Sequence, residues 1–313
     1  MTFWQQQTVL VTGSSGFLGS AIVRQLHNLG ADVHGVRRVE HDLREPGAVR
    51  QLLRTVHPSM IIHAAATVGG IGANRSYPGT FFYDNLLMGM NIIHEARAFD
   101  VQKLVIIGTV CSYPKVTPVP FQEGQLWSGY PEETNAAYGV AKKALLTMGQ
   151  AYRQQYGMPI IHLLPTNLYG PHDNFDPDTS HVIPALIAKF KHAVDVGLDS
   201  VTLWGSGRAT REFLYVEDAA EGILLAAERY DLPEPRNLGT GYERSIRQLA
   251  HLIASELGYR GEIVWDMNYP DGQPRRSLDS TAALLDFGYV ARTPFMVGLR
   301  KTIEWYCSRL SSP

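Results

Sequence analysis

Gly13-Ser14-Ser15-Gly16-Phe17-Leu18-Gly19, set between an apolar run and a helical pattern, constrains this 313-residue chain more than any other segment. Residues 8–12 (TVLVT) read as a buried strand. Leu18, Ala21, Ile22 and Leu26 then recur at helical spacing until Gly30. Glycine permits the tight turn between the two and lets backbone N–H groups approach a pyrophosphate at the helix start. Gly13, Ser15, Gly16, Phe17, Leu18 and Gly19 are therefore expected to hold a dinucleotide. A plain strand-to-helix turn is the competing reading, and the glycine spacing at the first strand favours nucleotide binding.

The same alternation continues downstream. Strands are expected at 32–36, 60–64, 103–108 and 159–164, with helices at 48–56, 85–99 and 138–156 between them. Strands alternating with helices predict an α/β fold, a Rossmann-type doubly wound parallel sheet. After Pro165 the pattern loosens into a polar, turn-rich stretch over 169–181, then helices at 182–191, 217–230, 246–257 and 296–310 and short strands at 200–204, 212–216 and 263–266. This predicts a nucleotide-binding domain from 1–168 and 213–240 and a smaller C-terminal α/β substrate lobe from 169–212 and 241–313.

A net charge of -2 supplies no basic field for nucleic acid. No run of about 20 apolar residues predicts a membrane span, and no signal segment is evident at the N-terminus. Two cysteines, Cys111 and Cys307, fit a reducing compartment such as the cytoplasm better than a disulfide framework. No metal site is expected.

The end of the second strand carries Val36-Arg37-Arg38 where an acidic residue would bind the ribose hydroxyls of NAD. Arginine there can pair with a 2′-phosphate, so NADP is the expected cofactor. Solvated surface charge is the competing reading of both arginines. Asp42 and Leu43 are placed beside the adenine.

Tyr138 and Lys142 lie one helical turn apart and share a face. Free tyrosine, with a pKa of about 10, is a poor acid-base catalyst at neutral pH, and a nearby ammonium is expected to lower it. Thr109, at a strand end, can hydrogen-bond the substrate oxygen. Together they can protonate an alkoxide as a carbonyl is reduced.

These residues resemble the extended short-chain dehydrogenase/reductase family. Longer segments narrow the resemblance to its GDP-L-fucose synthase branch: Gly69-Gly70-Ile71 with Asn74, Cys111-Ser112-Tyr113-Pro114-Lys115, Pro165 to Phe175 (PTNLYGPHDNF), Ser180 to Leu186 (SHVIPAL), and Trp204-Gly205-Ser206-Gly207 through Arg211-Glu212-Phe213-Leu214. The resemblance implies NADPH-dependent conversion of GDP-4-keto-6-deoxy-D-mannose to GDP-L-fucose, by inversion at C3 and C5 and reduction at C4. It assigns the inversion to a Cys and a His, which fall on Cys111 and His181. Both are usable near neutral pH, the free groups titrating at about 8.5 and 6.5. It adds Ala64, Ala65, Pro165, Asn167, Leu168 and His181, with Tyr138 and Lys142, to the cofactor site. It puts Asn167, Val182, Lys189, Trp204, Arg211 and Arg276 on the GDP-sugar. For Trp204 the rival is core packing; for Arg276, surface exposure beside Arg275. A homodimer is implied, with helices 85–99 and 138–156 at its interface.

The chain departs from that branch at Thr109 and Val110, where serines are usual, at Ser15, where a basic residue is typical, and at Thr67, where a lysine is expected. A 4-ketoreductase or 4-epimerase acting on another keto-sugar nucleotide therefore stays open. So does a relative acting on a colitose-type or heptose substrate. A non-catalytic NADP-binding sensor has no use for a tuned tyrosine.

Overall fold

Hydrophobic alternation along the first strand decides how the molecule is layered. The structure is a computed structural model describing residues 2–177, 179–269 and 271–310. In β1 (Thr8–Thr12), Val9 and Val11 face one core while Leu10 faces another. A strand buried on both faces needs helices on both sides. They alternate with the strands that follow: α1 (Phe17–Leu29), β2 (Asp32–Val36), α2 (Pro46–Val56), β3 (Met60–His63), α3 (Ile71–Ser76), α4 (Pro78–Ala96), β4 (Lys103–Ile107), α5 (Ala136–Tyr156) and β5 (Ile160–Pro165). Gly30, at φ 82°, ends α1 in the left-handed region that glycine adopts without strain.

The second half supplies β6 (Asn167–Tyr169), α6 (Val182–Val196), β7 (Ser200–Trp204), β8 (Thr210–Tyr215), α7 (Val216–Arg229), β9 (Arg236–Leu238), β10 (Glu243–Ser245), α8 (Ile246–Glu256), β11 (Glu262–Asp266), β12 (Arg275–Arg276), α9 (Thr281–Phe287) and α10 (Phe295–Leu310).

Six strands form one parallel sheet in the order β2-β1-β3-β4-β5-β9. One face packs on residues of α1, α7 and α9, among them Ile22, Ile223 and Phe287. The other packs on α2, α4 and α5 through Leu53, Ile92 and Leu145. This is the doubly wound Rossmann-type arrangement. The winding reverses between β1 and β3, and such sheets bind ligands in the crevice beyond the strand ends at that reversal.

A smaller sheet is built around β8, which pairs antiparallel with β10 and parallel with β12 and β6. Asn167 and Leu168 thus lie in the smaller sheet rather than at the end of the larger one. Phe213–Tyr215 are there too, and of residues 213–240 it is β9 that joins the large sheet. β7 and β11 form a separate parallel pair. α6, α8 and α10 share a third core with Phe213 and Tyr215. α3, the first turns of α4, and β6, β9, β10, β12 and α9 have no counterpart among the sequence expectations. They are short, or in the case of α4 begin at a proline that occupies the first helical turn, where its missing N–H costs nothing.

Candidate active site

The turn after β1 is built to bring backbone close to backbone. A Cβ at Gly13, at φ +69°, would lie 2.8 Å from the Ala65 Cα, and one at Gly19 would lie 2.0 Å from the Gly13 carbonyl oxygen. Ala64 and Ala65, just past β3, therefore sit directly against the loop. Ser15 and Gly16 are exposed at its apex, Phe17 and Leu18 are half-buried, and α1 follows the N-cap position Gly16 with no side-chain cap and no acidic residue in its first turn. Uncapped N–H groups with no competing carboxylate fit a pyrophosphate.

At the end of β2, Arg37 is paired with Glu40 through its guanidinium. Arg38 is exposed, with Asp42 3.9 Å away. Asp42 is committed to Arg44, which holds its carboxyl down at about 2. Arg44 also reaches the buried Asp84, whose other oxygen accepts from Thr67. Leu43 is buried in the core between the sheet and α2. Of the two arginines, Arg38 is the one with the looser internal partner, and it fits a 2′-phosphate.

β4 delivers the residues expected to carry out reduction. Thr109, extended and buried, caps a short turn by accepting from the Cys111 N–H at 3.1 Å. α5 then abuts this turn at Gly139, where a Cβ would come within 2.3 Å of the Cys111 carbonyl oxygen. The contact is fixed by Ser112, whose hydroxyl donates to the Gly139 carbonyl at 3.1 Å. Tyr138, one residue earlier on the helix, is brought against Thr109 and Cys111.

The expectation that Lys142 lowers the Tyr138 phenol is not met. Burial pushes Tyr138 above its ordinary value, Cys111 adds to the rise, and the Thr109 hydrogen bond only partly opposes it. Lys142 Nζ donates to the Ile107 carbonyl at 3.0 Å and lies 5.9 Å from the centre of the Tyr138 ring. Burial brings the lysine itself down to about 8. Desolvation is the leading cause of both shifts.

Beyond β8 the positive charges converge. Arg211 and Arg276 are register partners on β8 and β12. Arg276 is buried rather than on the surface; its Nη1 donates to Cys111 Sγ at 3.5 Å and its Nε to Gln273 Oε1 at 3.1 Å. Arg211 is lowered to about 10 by burial first and by Arg276 second. The neighbouring Arg275 is exposed and pairs with Glu243. Asn167 donates from its amide to the Glu212 carbonyl at 2.9 Å, and Pro165, buried, ends β5 just before it.

Trp204 does not pack in the core. It is 64% exposed and stacks on Tyr269 at 4.4 Å with planes 6° apart. One broad face is occupied and the rest of the ring meets solvent. Lys189, exposed, donates to the Thr202 carbonyl on the same strand at 3.1 Å. Val182, half-buried, opens α6.

His181 occupies the N-cap position of α6 without a side-chain capping bond and is exposed, yet enough protein surrounds its ring to lower the imidazole. Its segment is set by glycines. The Gly70 N–H donates to the Thr179 carbonyl at 2.8 Å, and a Cβ on Gly70 would lie 2.4 Å from the Ser180 carbonyl oxygen. Asn74 braces that pair by donating to the Gly69 and Gly70 carbonyls at 2.8 and 3.1 Å.

Residues missed from the sequence hold this site together. Glu212 is fully buried and accepts from the Gly241 and Leu278 N–H groups, each at 2.7 Å, and from the Ser277 hydroxyl at 3.1 Å. Gln273, also buried, passes the contact from Arg276 on to the Lys115 carbonyl at 2.9 Å. Their signal was weak, because each is a lone polar residue whose partners are far away in the chain.

Residues 9–239 match the NAD dependent epimerase/dehydratase family. The chain belongs to that family. Among its relatives, a protein named "Putative GDP-L-fucose synthase 2" from Arabidopsis thaliana is 42% identical over 95% of this chain and 91% of its own length. The GDP-L-fucose synthase of Escherichia coli is 41% identical over 96% of this chain and 97% of its own. A solved structure of a GDP-L-fucose synthetase from Naegleria fowleri bound to NADP superposes with a TM-score of 0.90 at 30% identity. It covers all of this chain, 100%, and 97% of that one.

Proposed function

We propose that this protein converts GDP-4-keto-6-deoxy-D-mannose to GDP-L-fucose, inverting C3 and C5 and reducing C4 with NADPH. The observation that carries the reading is Cys111, two residues beyond the reduction-site Thr109 and beside Tyr138, with the buried Arg276 on its sulfur. A ketone reductase needs the threonine and tyrosine; it has no need of a thiol beside them.

NADPH, when bound, supplies the reducing equivalent at C4. Gly13, Ser15, Gly16, Phe17, Leu18, Gly19, Arg38, Ala64 and Ala65 hold it on the larger sheet, and Asn167 with Arg211, Lys189, Trp204 and Arg276 hold the GDP-sugar on the smaller one. Carbons flanking a ketone are acidified, because the anion spreads onto the carbonyl oxygen. Thr109 and Tyr138 hydrogen-bond that oxygen while Cys111 and His181 exchange protons with the carbon from opposite sides. Burial favours the neutral imidazole of His181, the form that can take a proton, and the Cys111 S–H is a proton that can be given from the other side. At the reduction step Tyr138 gives its proton to the C4 oxygen, and the burial that raises its phenol keeps that proton in place beforehand.

The active protein is a homodimer in this reading. α4 and α5 pack on each other where a Cβ at Gly89 would meet Leu145 Cδ1 at 2.3 Å, and they leave Tyr83 and Tyr156 exposed on their outer faces. Neither cysteine is in a disulfide, which fits the cytoplasm. No helix among the described residues is long and apolar enough to cross a membrane.

The test is product NMR after incubation with NADPH and GDP-4-keto-6-deoxy-D-mannose in deuterated water. Deuterium at C3 and C5 of a fucose-configured product is expected. Reduction without carbon-bound deuterium would instead make the protein a plain 4-ketoreductase.

A further inference from the structure

Between Gly170 and His181 the described residues form only turns and irregular backbone, yet the segment carries the histidine on which inversion depends in the proposed reading. An irregular segment of this length has many conformations to lose, so something must hold it. The Gly70 contact fixes its end, and local bonds close the turn before it: the Asn174 amide donates to Thr179 Oγ1 at 2.8 Å and the Thr179 N–H to Asp176 Oδ1 at 3.1 Å. Its beginning is fixed elsewhere. His172 takes the left-handed conformation at φ 70°, which is unfavourable for a residue with a side chain. It packs on Trp305 at 4.8 Å, and Phe175 stacks on Tyr306 at 4.3 Å with planes 14° apart. Between them Asp173 is buried, with Oδ2 lacking a partner among the described residues. Strain and a buried bare carboxyl oxygen both disfavour this arrangement, and the aromatic contacts to the last turns of α10 oppose them.

We propose that His172, Phe175, Trp305 and Tyr306 form a clamp through which α10 positions His181, so that the clamp governs whether the sugar is inverted before it is reduced. The inference rests on the proposed reaction. These four are positioning residues. Their effect reaches the sugar through the bonds that Asn174, Asp176 and Gly70 make to Thr179, two residues before His181, whereas Thr109, Tyr138 and Lys142 are held by β4 and α5 and do not depend on α10.

The test compares Trp305→Ala, Trp305→Phe and His172→Ala in the full-length protein, each checked for NADPH binding. The readout is the ratio of inverted to uninverted reduced product by NMR in deuterated water, beside the total rate of NADPH oxidation. Trp305→Ala and His172→Ala are expected to lower that ratio by about 10- to 100-fold, the cost of a small misplacement of a reacting group, with total reduction largely kept. Trp305→Phe, which keeps a ring for His172, is expected to restore the ratio. An unchanged ratio in the two alanine variants, or an equal fall in inversion and reduction, would overturn the clamp. Absence of carbon-bound deuterium with the unaltered protein would overturn the functional reading itself, a different result from an unchanged ratio between active proteins.

Discussion

Arg276 Nη1 lies 3.5 Å from Cys111 Sγ and joins residues 165 positions apart in the chain. The contact is anchored at both ends. Gln273 grips the guanidinium and then the Lys115 carbonyl, so the strand carrying Arg276 is tied back to the segment that begins at Cys111. Glu212 ties the following residues, Ser277 and Leu278, to the same strand as Arg211. The result is two adjacent guanidinium groups beside a sulfur, a site that favours an anion.

Arg276→Gln should lower kcat/KM for the GDP-keto sugar by about 10- to 100-fold, the usual worth of a buried hydrogen bond to a charged group. Arg276→Lys keeps the charge but not the fork that spans sulfur and Gln273, and should recover only part of the loss. Steady-state kinetics on the three proteins checks this. Equal kcat/KM in Arg276→Gln would remove the arginine from the site.

Tyr138→Phe should cut reduction by about 100- to 10,000-fold, the range for losing a positioned general acid. Deuterium should still enter the sugar carbons, because Cys111 and His181 remain. Exchange measured by NMR alongside NADPH oxidation separates the two steps. Reduction at the normal rate in this variant would take the acid role from Tyr138.

What the sequence disclosed, and what it hid, follows from how local each signal is. The glycine loop, the β1–α1 unit and the Tyr138–Lys142 spacing depend on neighbours within a few residues, so they could be read directly. The architecture of the large sheet followed from repeated alternation. The contacts of Arg276, Glu212 and Gln273 depend on strands β8 and β12 coming together, and no periodicity announces that pairing. Trp204 illustrates the same limit, since its exposure is decided by Tyr269, far along the chain on the loop after β11. The Lys142 expectation failed for a related reason. Spacing placed the lysine on the correct face, but only burial in three dimensions revealed that both it and Tyr138 are desolvated.

Arg38→Ala should raise KM for NADPH by about tenfold or more while leaving KM for NADH nearly unchanged, since only the phosphorylated cofactor carries the group it is proposed to meet. The ratio of the two constants is the measurement. A variant that weakens both cofactors equally would show that Arg38 acts on something other than the 2′-phosphate.

Trp204→Ala should raise KM for the GDP-sugar by about tenfold through lost stacking, by analogy with base-on-aromatic contacts, with kcat little changed. Tryptophan fluorescence adds an independent view, because GDP should quench the unaltered protein and quench the variant less. A fall in kcat at constant KM would place the ring elsewhere in the reaction.

Lys142→Met offers a test in which stability and activity move in opposite directions. Burial lowers the lysine from 10.5 in the unfolded chain to about 8 in the folded one. Below pH 8 both states carry the proton, and the folded state bears the full cost of a buried ammonium. Between pH 8 and 10.5 the unfolded chain binds more protons, so stability rises with pH through that window. Replacing the lysine with an apolar side chain of similar length removes that cost, though it also leaves the Ile107 carbonyl without its donor. A net gain of about 1–2 kcal/mol at pH 7 is expected, shrinking as the pH approaches 10, while reduction is lost. Urea unfolding of both proteins at pH 7 and pH 10 reads the difference. A gap between them that stays constant with pH would mean that the lysine is not held near pH 8 and that its ammonium is accommodated at no cost.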